Sequence, residues 1–299
     1  MAGRLSPIFL EPGEAGEPAA EGTCVLPRRT ARRRIVFGWY GGKFSHLPWL
    51  LPLLPEARHY CEPFAGSGAV LLNREPSALE TYNDLDGEVV NFFRVLRNDP
   101  ERLARAIALT PFSREEFHRA IAAPQGDLAE PGGALERARR FYVRARQART
   151  GLAQTATLGR WANCRDTSRA GMSGVVSRWL GGVAGLPEIG ARLIRVQIEN
   201  RPAADVIRLY DGPDTLFYCD PPYLHTTRGD SRAYGFEMDE AEHVSLAAVL
   251  HGCRGKVALS GYRNALMDRL YGDWRRFDAE SRQCHSAKTP RRESLWMNY

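Results

Sequence analysis

The stretch His59-Tyr60-Cys61-Glu62-Pro63-Phe64-Ala65-Gly66-Ser67-Gly68-Ala69-Val70-Leu71-Leu72-Asn73 decides how this chain is read. His59 to Pro63 has the character of a short buried strand. Ala69-Val70-Leu71-Leu72-Asn73 opens a buried helix. Between them lies a glycine-containing turn, the form taken when backbone must pass close to something else. A helix that starts there offers N–H groups with no intrahelical partner, which suits an anionic or polar ligand. The next strand, Leu79 to Asn83, ends at Asp84, 16 residues beyond Gly68. A carboxylate at about that offset can accept both hydrogen bonds of a ribose diol. A tight strand-to-helix turn without a ligand is the plain alternative.

The third glycine of a dinucleotide fingerprint is absent, because Ala69-Val70-Leu71 follows Gly68. NAD is therefore disfavoured, and a mononucleoside such as S-adenosylmethionine fits the pattern better.

Outward from this core, the pattern alternates. Leu47 to Leu54 reads as a short apolar helix with Pro48 in its first turn and a kink at Pro52. From Asp86, Val89, Val90, Phe93 and Leu96 follow helical spacing. Strand signals resume at Leu193 to Ile198, Thr215 to Cys219 and Lys256 to Ser260. Asp239 with Glu242 caps a helix between the last two. Asp273 to Ala279 and Ser294 to Asn298 pair as a terminal hairpin. Strands alternating with helices predict an α/β fold with a mostly parallel sheet.

The segment 97–191 interrupts that sheet. It opens with Asp99-Pro100, a cap followed by a first-turn proline, and continues through the capping signature Ser113-Arg114-Glu115-Glu116. A loop at Pro124 to Gly133, a basic helix at Leu135 to Arg149 and a Gly-, Thr-, Ser- and Arg-rich stretch to Gly185 follow. Residues 1–34, rich in Gly, Pro, Glu and Ala and ending in an arginine cluster, read as a disordered basic tail. The expected organisation is thus 1–34 tail, 35–96 and 192–299 core domain, and 97–191 insertion.

Composition bounds these readings. The 299 residues include 43% hydrophobic and 25% charged side chains, which excludes a wholly disordered chain, a collagen or a coiled-coil rod. No apolar stretch approaches the roughly 20 residues of a bilayer span, and no signal-peptide core precedes the ordered region. A cytoplasmic protein with no membrane partner is expected. The six cysteines, at 24, 61, 164, 219, 253 and 284, show no metal-binding spacing, so no metal is expected. The net charge is +6, and of 41 basic residues only Lys43, Lys256 and Lys288 are lysines. Ten arginines between 135 and 180 face only Glu136 and Asp166. That concentration favours a phosphate-facing surface over a general compositional bias.

A second motif, Asp220-Pro221-Pro222-Tyr223, ends the Thr215 to Cys219 strand. Ligands of open α/β sheets sit at that edge. The prolines fix the backbone after the acid, so its carboxylate and a main-chain carbonyl can face one amino group. The tyrosine offers a flat face to a base.

Together these motifs resemble the Dam-like class of DNA adenine-N6 methyltransferases. The resemblance rests on Trp39-Tyr40-Gly41-Gly42-Lys43, Glu62 to Val70, Asn83-Asp84, Tyr218 to Tyr223, Val257 to Tyr262 and Glu293 to Asn298. It spans residue 35 to the C-terminus, with the basic segment where the class carries its target-recognition insertion. It implies a Rossmann-like S-adenosylmethionine-dependent methyltransferase sheet with an inserted, mostly helical recognition domain. It implies that Trp39, Tyr40, Lys43, Glu62, Phe64, Ala65, Gly66, Gly68 and Asp84 bind the cofactor, with Glu199 or Asn200 near its adenine and Asp220 at its reacting end. Asp220, Pro221, Pro222 and Tyr223 would form the catalytic motif.

The implied substrate is double-stranded DNA, with an adenine flipped out for methylation at N6. Arg140, Arg144, Arg146, Arg149, Arg160, Arg165 and Arg169 are the candidate DNA contacts. The enzyme is expected to act as a monomer, and a restriction endonuclease partner in the same system is left open. The insertion departs from the class in detail around Phe141 to Arg146 and Gly151, so no target sequence follows. Alternatives are the same chemistry on cytosine-N4, RNA adenine or a protein amide, and a catalytically dead DNA-binding relative.

Overall fold

A computed structural model of the chain describes residues 33–123, 133–149, 153, 155–165, 168–169, 171–224, 237–279 and 292–299. The expected tail up to Arg32 and most of the expected loop after Ala123 lie outside them. Arg33 to Tyr299 belong to one compact unit. Arg34 is already tied into it. Its N–H donates to Asn73 Oδ1 at 2.7 Å and its guanidinium to Glu188 at 2.9 Å.

The strands are β1 (His59–Glu62), β2 (Leu79–Asn83), β3 (Ser168–Arg169), β4 (Met172–Ser173), β5 (Gln197–Glu199), β6 (Thr215–Cys219), β7 (Lys256–Tyr262), β8 (Arg275–Asp278) and β9 (Glu293–Met297). Seven of them form one sheet in the order β5-β2-β1-β6-β7-β9-β8, while β3 and β4 pair separately as an antiparallel ribbon. All pairs from β5 to β7 are parallel. β9 lies antiparallel between β7 and β8. The result is a mixed α/β fold with a central sheet and helical insertions, consistent with the Rossmann-like expectation. The chain runs outward from β1 to β2 and β5 on one side, then outward from β6 to β7 on the other. Order therefore reverses between β1 and β6, where open sheets of this kind leave a crevice.

The central strands are buried on both faces, as parallel strands covered by helices must be. In α3 (Gly87–Asn98), the Asp86 carboxylate caps the first turn through the Glu88 N–H. Val89, Val90, Phe92, Phe93 and Leu96 are buried along that helix. Each such side chain contributes roughly 1.5–3 kcal/mol by leaving water. The helices α1 (Leu47–Leu50), α2 (Ala69–Asn73), α9 (Ala203–Tyr210), α10 (Glu240–His251) and α11 (Ala265–Leu270) complete the layers beside the sheet. Pro48 stands in the first turn of α1. At Pro52 the chain passes into a turn of 3-10 helix rather than continuing as α-helix. Asp239 and Glu242 make the full reciprocal capping box at α10.

The segment between sheet halves is built from α4 (Pro100–Ala108), α5 (Arg114–Ala122), α6 (Gly133–Gln147), α7 (Gly174–Ala184) and α8 (Leu186–Leu193). Asp99 caps α4 and Ser113 caps α5 through backbone N–H groups three residues on. Two sequence readings need correction here. Leu193 ends a helix instead of opening a strand, and β5 begins only at Gln197. The stretch read as weakly periodic contains α7, whose inward face is Gly174, Trp179 and Val183. Trp179 packs against Tyr142 and Phe112, and that packing rather than helix propensity holds the element.

Candidate active site

The turn after β1 is strapped to the end of β2 by consecutive hydrogen bonds. Ala65 N–H donates to the Asn83 carbonyl at 2.9 Å, and Asn83 Nδ2 to the Pro63 carbonyl at 2.8 Å. The Tyr82 hydroxyl donates to the Gly66 carbonyl at 2.7 Å, and the Gly66 N–H to Asp84 Oδ2 at 2.8 Å. Gly66 and Gly68 have φ of 50° and 62°, a conformation that favours glycine. Gly66 has a second reason to lack a side chain, since a Cβ there would lie 2.5 Å from Trp39 Nε1. Gly68 caps α2 and would leave ordinary room for a Cβ, so only its backbone demands glycine.

These elements wall a cavity of about 370 Å³ at the carboxyl edge of β1, β2 and β6. Of the residues singled out in the sequence, Trp39, Tyr40, Lys43, Glu62, Phe64, Ala65, Gly66, Asp84, Asp220 and Pro222 line it. Gly68, Pro221 and Tyr223 stand beside it without lining it. Neither Glu199 nor Asn200 lines it either. Glu199 accepts from the Tyr210 hydroxyl at 2.8 Å, and Asn200 Nδ2 reaches the Asp84 and Leu85 carbonyls. That wall is made instead by Leu85, Pro202, Ala203, Ala204 and Arg208, with Met238, Leu246 and Val249 from the α10 side. These are mostly small or apolar residues at the start of α9 and along α10, and they carry no chemical signature in sequence.

Charge in the cavity is lopsided. Glu62, Asp84, Asp220, Glu237 and Glu242 contribute carboxyl groups, against Lys43 and Arg208. An acid-rich, largely apolar crevice fits a cationic nucleoside such as S-adenosylmethionine and does not fit a nucleotide's phosphates. Burial pushes the Glu62 carboxyl up to about 8, although the Tyr60 hydroxyl donates to it at 2.6 Å. Burial likewise raises Asp84 to about 6, against the opposing Asp86 and Gly66 N–H groups.

At the mouth of β6, Asp220 meets Lys43 and Tyr223. Lys43 Nζ lies 2.7 Å from its carboxylate, and the Tyr223 hydroxyl is 3.0 Å from Oδ1. Burial and the neighbouring Glu293 raise the Asp220 carboxyl while Lys43 opposes them. Tyr223 is buried, hydrogen-bonded to Glu293, and packed edge-on by Tyr262 at 4.8 Å between ring centroids. Lys43 sits 5.0 Å over its ring. The Pro222 carbonyl is 3.0 Å from His243 Nε2, which fixes the second proline from α10. Glu293 received no role in the sequence reading. It opens one of the stretches that carry the resemblance, as a charge at the head of the apolar run Ser294-Leu295-Trp296-Met297, and β9 register brings it here.

The candidate DNA-contacting arginines do not share one environment. Arg144 is 3% exposed, and its guanidinium donates to Glu88 Oε2 at 3.0 Å and the Ala120 carbonyl at 2.9 Å. It is a packing residue and cannot reach phosphate. Arg137 is buried on the same Glu88. Arg140 pairs with Glu136, Arg146 donates to the Arg178 carbonyl, and Arg149 to Asn163 Oδ1. Arg160 is half-buried, and Arg165 and Arg169 are exposed, the latter on the β3–β4 ribbon.

Among the described residues, no group of acidic, histidine and cysteine side chains is arranged to hold a metal ion. No helix among them is long and apolar enough to cross a membrane.

The chain matches the family described as D12 class N6 adenine-specific DNA methyltransferase over residues 39–127 and 184–284. It is 25% identical over 258 residues to the DNA adenine methylase of Vibrio cholerae, covering 80% of this chain and 85% of that one. The DNA N-6-adenine-methyltransferase of Escherichia phage P1 is 36% identical over 70 residues, 23% of this chain and 9% of that protein. A type II methyltransferase of Lactococcus lactis subsp. cremoris is 37% identical over 78 residues, 26% of each chain.

Proposed function

This chain belongs to the family of D12 class N6 adenine-specific DNA methyltransferases, and from that premise we propose that it methylates the N6 amino group of an adenine flipped out of double-stranded DNA. The observation that carries the reading is Asp220-Pro221-Pro222-Tyr223 at the end of β6, opening onto the acid-rich cavity beside the Gly66 turn.

S-adenosylmethionine supplies an electrophilic methyl group when bound. Trp39, Tyr40 and Lys43 close one side of its cavity, Glu62 to Ser67 form the floor, and Asp84 is the acceptor for a ribose diol. The wall at Pro202 to Ala204 takes the place that the sequence assigned to Glu199 or Asn200. Asp220 and the Pro221 carbonyl accept hydrogen bonds from the exocyclic amine and hold its lone pair out of the ring. Tyr223 presents its ring to the extruded base. Positioning supplies most of the rate, so no covalent intermediate with the protein is required and Cys219 serves as a buried strand residue. The amine's proton leaves late, so Asp220 acts as acceptor and need not be a strong base.

The segment 97–191 is the recognition insertion in this reading, and its exposed arginines hold phosphates. In this reading the enzyme acts as a monomer.

Long-read modification sequencing of DNA from methylation-deficient cells expressing the chain tests the proposal. N6-methyladenine at one short motif is expected, and it disappears in Asp220→Ala, a loss of at least about 10³-fold in transfer. Calorimetry of Asp220→Ala should show S-adenosylmethionine still bound. A cell with soluble, cofactor-binding protein and unmodified DNA would direct the reading to RNA or protein amide.

A further inference from the structure

Four ionisable or hydroxyl groups, Lys43, Asp220, Tyr223 and Glu293, meet at the cavity's edge. The Tyr223 hydroxyl has one proton and two carboxylates within reach. It makes its shorter contact to Glu293 Oε1, and lies 3.0 Å from Asp220 Oδ1. A carboxylate has about four acceptor sites, and Lys43 already occupies Asp220 at 2.7 Å. Were the tyrosine proton also given to Asp220, less of that carboxylate would remain for a substrate amine.

Strand register places Glu293 for this. Glu293 lies directly opposite Tyr262 across the antiparallel β7–β9 pair, so both side chains project to one face. Tyr262 packs against the edge of the Tyr223 ring, and Glu293 takes its hydroxyl. One cross-strand pair therefore holds both ends of the tyrosine. Glu293 is 6% exposed, lies 3.5 Å from Lys43 Nζ, and does not line the cavity.

We propose that Glu293 is a positioning residue for methyl transfer: it accepts the Tyr223 hydroxyl proton, which fixes the ring and reserves Asp220 for the substrate amine. The assignment rests on the roles given to Asp220 and Tyr223 above. It adds a residue that does not touch the substrate and whose hydrogen bond is made to Tyr223.

The test is single-turnover transfer of labelled methyl from S-adenosylmethionine to mixed DNA and RNA, with the labelled base identified after digestion. Glu293→Ala should lower the rate about 10- to 100-fold, the scale of one hydrogen bond to a charged group, with cofactor affinity changed less than about twofold. Glu293→Gln keeps an acceptor oxygen at the same place and should stay within about tenfold of the intact protein. In a Tyr223→Phe background, Glu293→Ala should cost less than about threefold more, because the hydroxyl it serves is gone.

An undiminished rate in Glu293→Ala overturns the assignment. So does an equal loss with and without the Tyr223 hydroxyl, which would make Glu293 a structural strand residue. Label on a base other than adenine overturns the substrate reading and leaves these rate ratios to judge Glu293. Absence of label from every pool with the intact protein overturns both.

Discussion

Glu62 and Asp84 at the sheet's carboxyl edge, and Glu88 and Glu136 beneath the helical insertion, are all carboxyl groups drawn out of water, yet they titrate in opposite directions. Burial would raise all four. At Glu62 and Asp84 burial wins, and the carboxyls rise to about 8 and about 6. At Glu88, hydrogen bonds and charge from Arg137 and Arg144 outweigh burial and lower it. At Glu136, Arg139 and Arg140 do the same. The cavity leaves Glu62 and Asp84 without a paired cation, while arginines of the insertion are taken up by Glu136 and by Glu88 of α3. Positive-φ glycines and carboxyls held by hydroxyl and amide donors rather than by cations mark a surface made for a ligand. An arginine-rich helix can equally be a self-contained ion-pair scaffold, and its charge count does not tell the two apart.

The sharpest way to break this contrast is to unpair the scaffold. Glu88→Ala leaves Arg137 and Arg144 buried without their carboxylate, and should destabilise the fold by about 3–5 kcal/mol. Arg144→Ala, which empties one partner and strands the Ala120 carbonyl, should fall in the same range or just below it. Denaturant titration reads both. A loss below about 0.5 kcal/mol would return Arg144 to the candidate phosphate contacts.

Legibility in the sequence follows the same division. β1, β2 and β6 and the caps at Asp99, Ser113 and Asp239 lie where local pattern places them, because caps and short buried strands are governed by a few adjacent residues. The Gly66–Gly68 turn and Asp84 come together because strand ends dictate where the chain turns. Three things are not local. α7 holds its place through Trp179 despite Gly181 and Gly182. The cavity wall at Pro202 to Ala204 is made of residues without functional chemistry. Arg144 faces inward because Glu88, 56 residues earlier, lies under it. Residue type reports charge, and only packing reports which face carries it.

A smaller effect, but one that runs in opposite senses in the two regions, is expected with pH. Glu62 and Asp84 are raised in the fold, so the folded protein holds more protons than the unfolded chain between about pH 4 and 8. Their contribution to stability therefore falls as pH rises through that window. Binding of a cationic cofactor favours their ionised forms, so its affinity should rise over the same interval, up to about tenfold per pH unit where one proton is released. Calorimetry from pH 5.5 to 8.5 checks this, and Glu62→Gln should flatten the upper part of the rise. Glu88 and Glu136 are lowered, so their contribution is present above the usual carboxylate range and is lost as pH falls below it. A cofactor affinity independent of pH would remove Glu62 and Asp84 from the cationic ligand's environment.

The smallest expected effect separates the two kinds of arginine within the insertion itself. Arg165 and Arg169 are exposed, and Arg169 sits on the short antiparallel ribbon that β3 and β4 form. A phosphate contact releases condensed counterions, so replacing one such arginine should lower the salt dependence of DNA affinity by about 0.9 in slope. It should do so almost uniformly across DNA sequences, since phosphate carries no base information. Folding stability should move by less than about 0.5 kcal/mol, because a solvated side chain leaves no buried partner behind. Arg165→Ala and Arg169→Ala, measured by fluorescence anisotropy at several salt concentrations, should thus change affinity and spare stability. Arg144→Ala should show the reverse. If Arg165→Ala and Arg169→Ala leave the salt slope intact, the phosphate surface lies elsewhere, and the arginines of this insertion serve its own architecture.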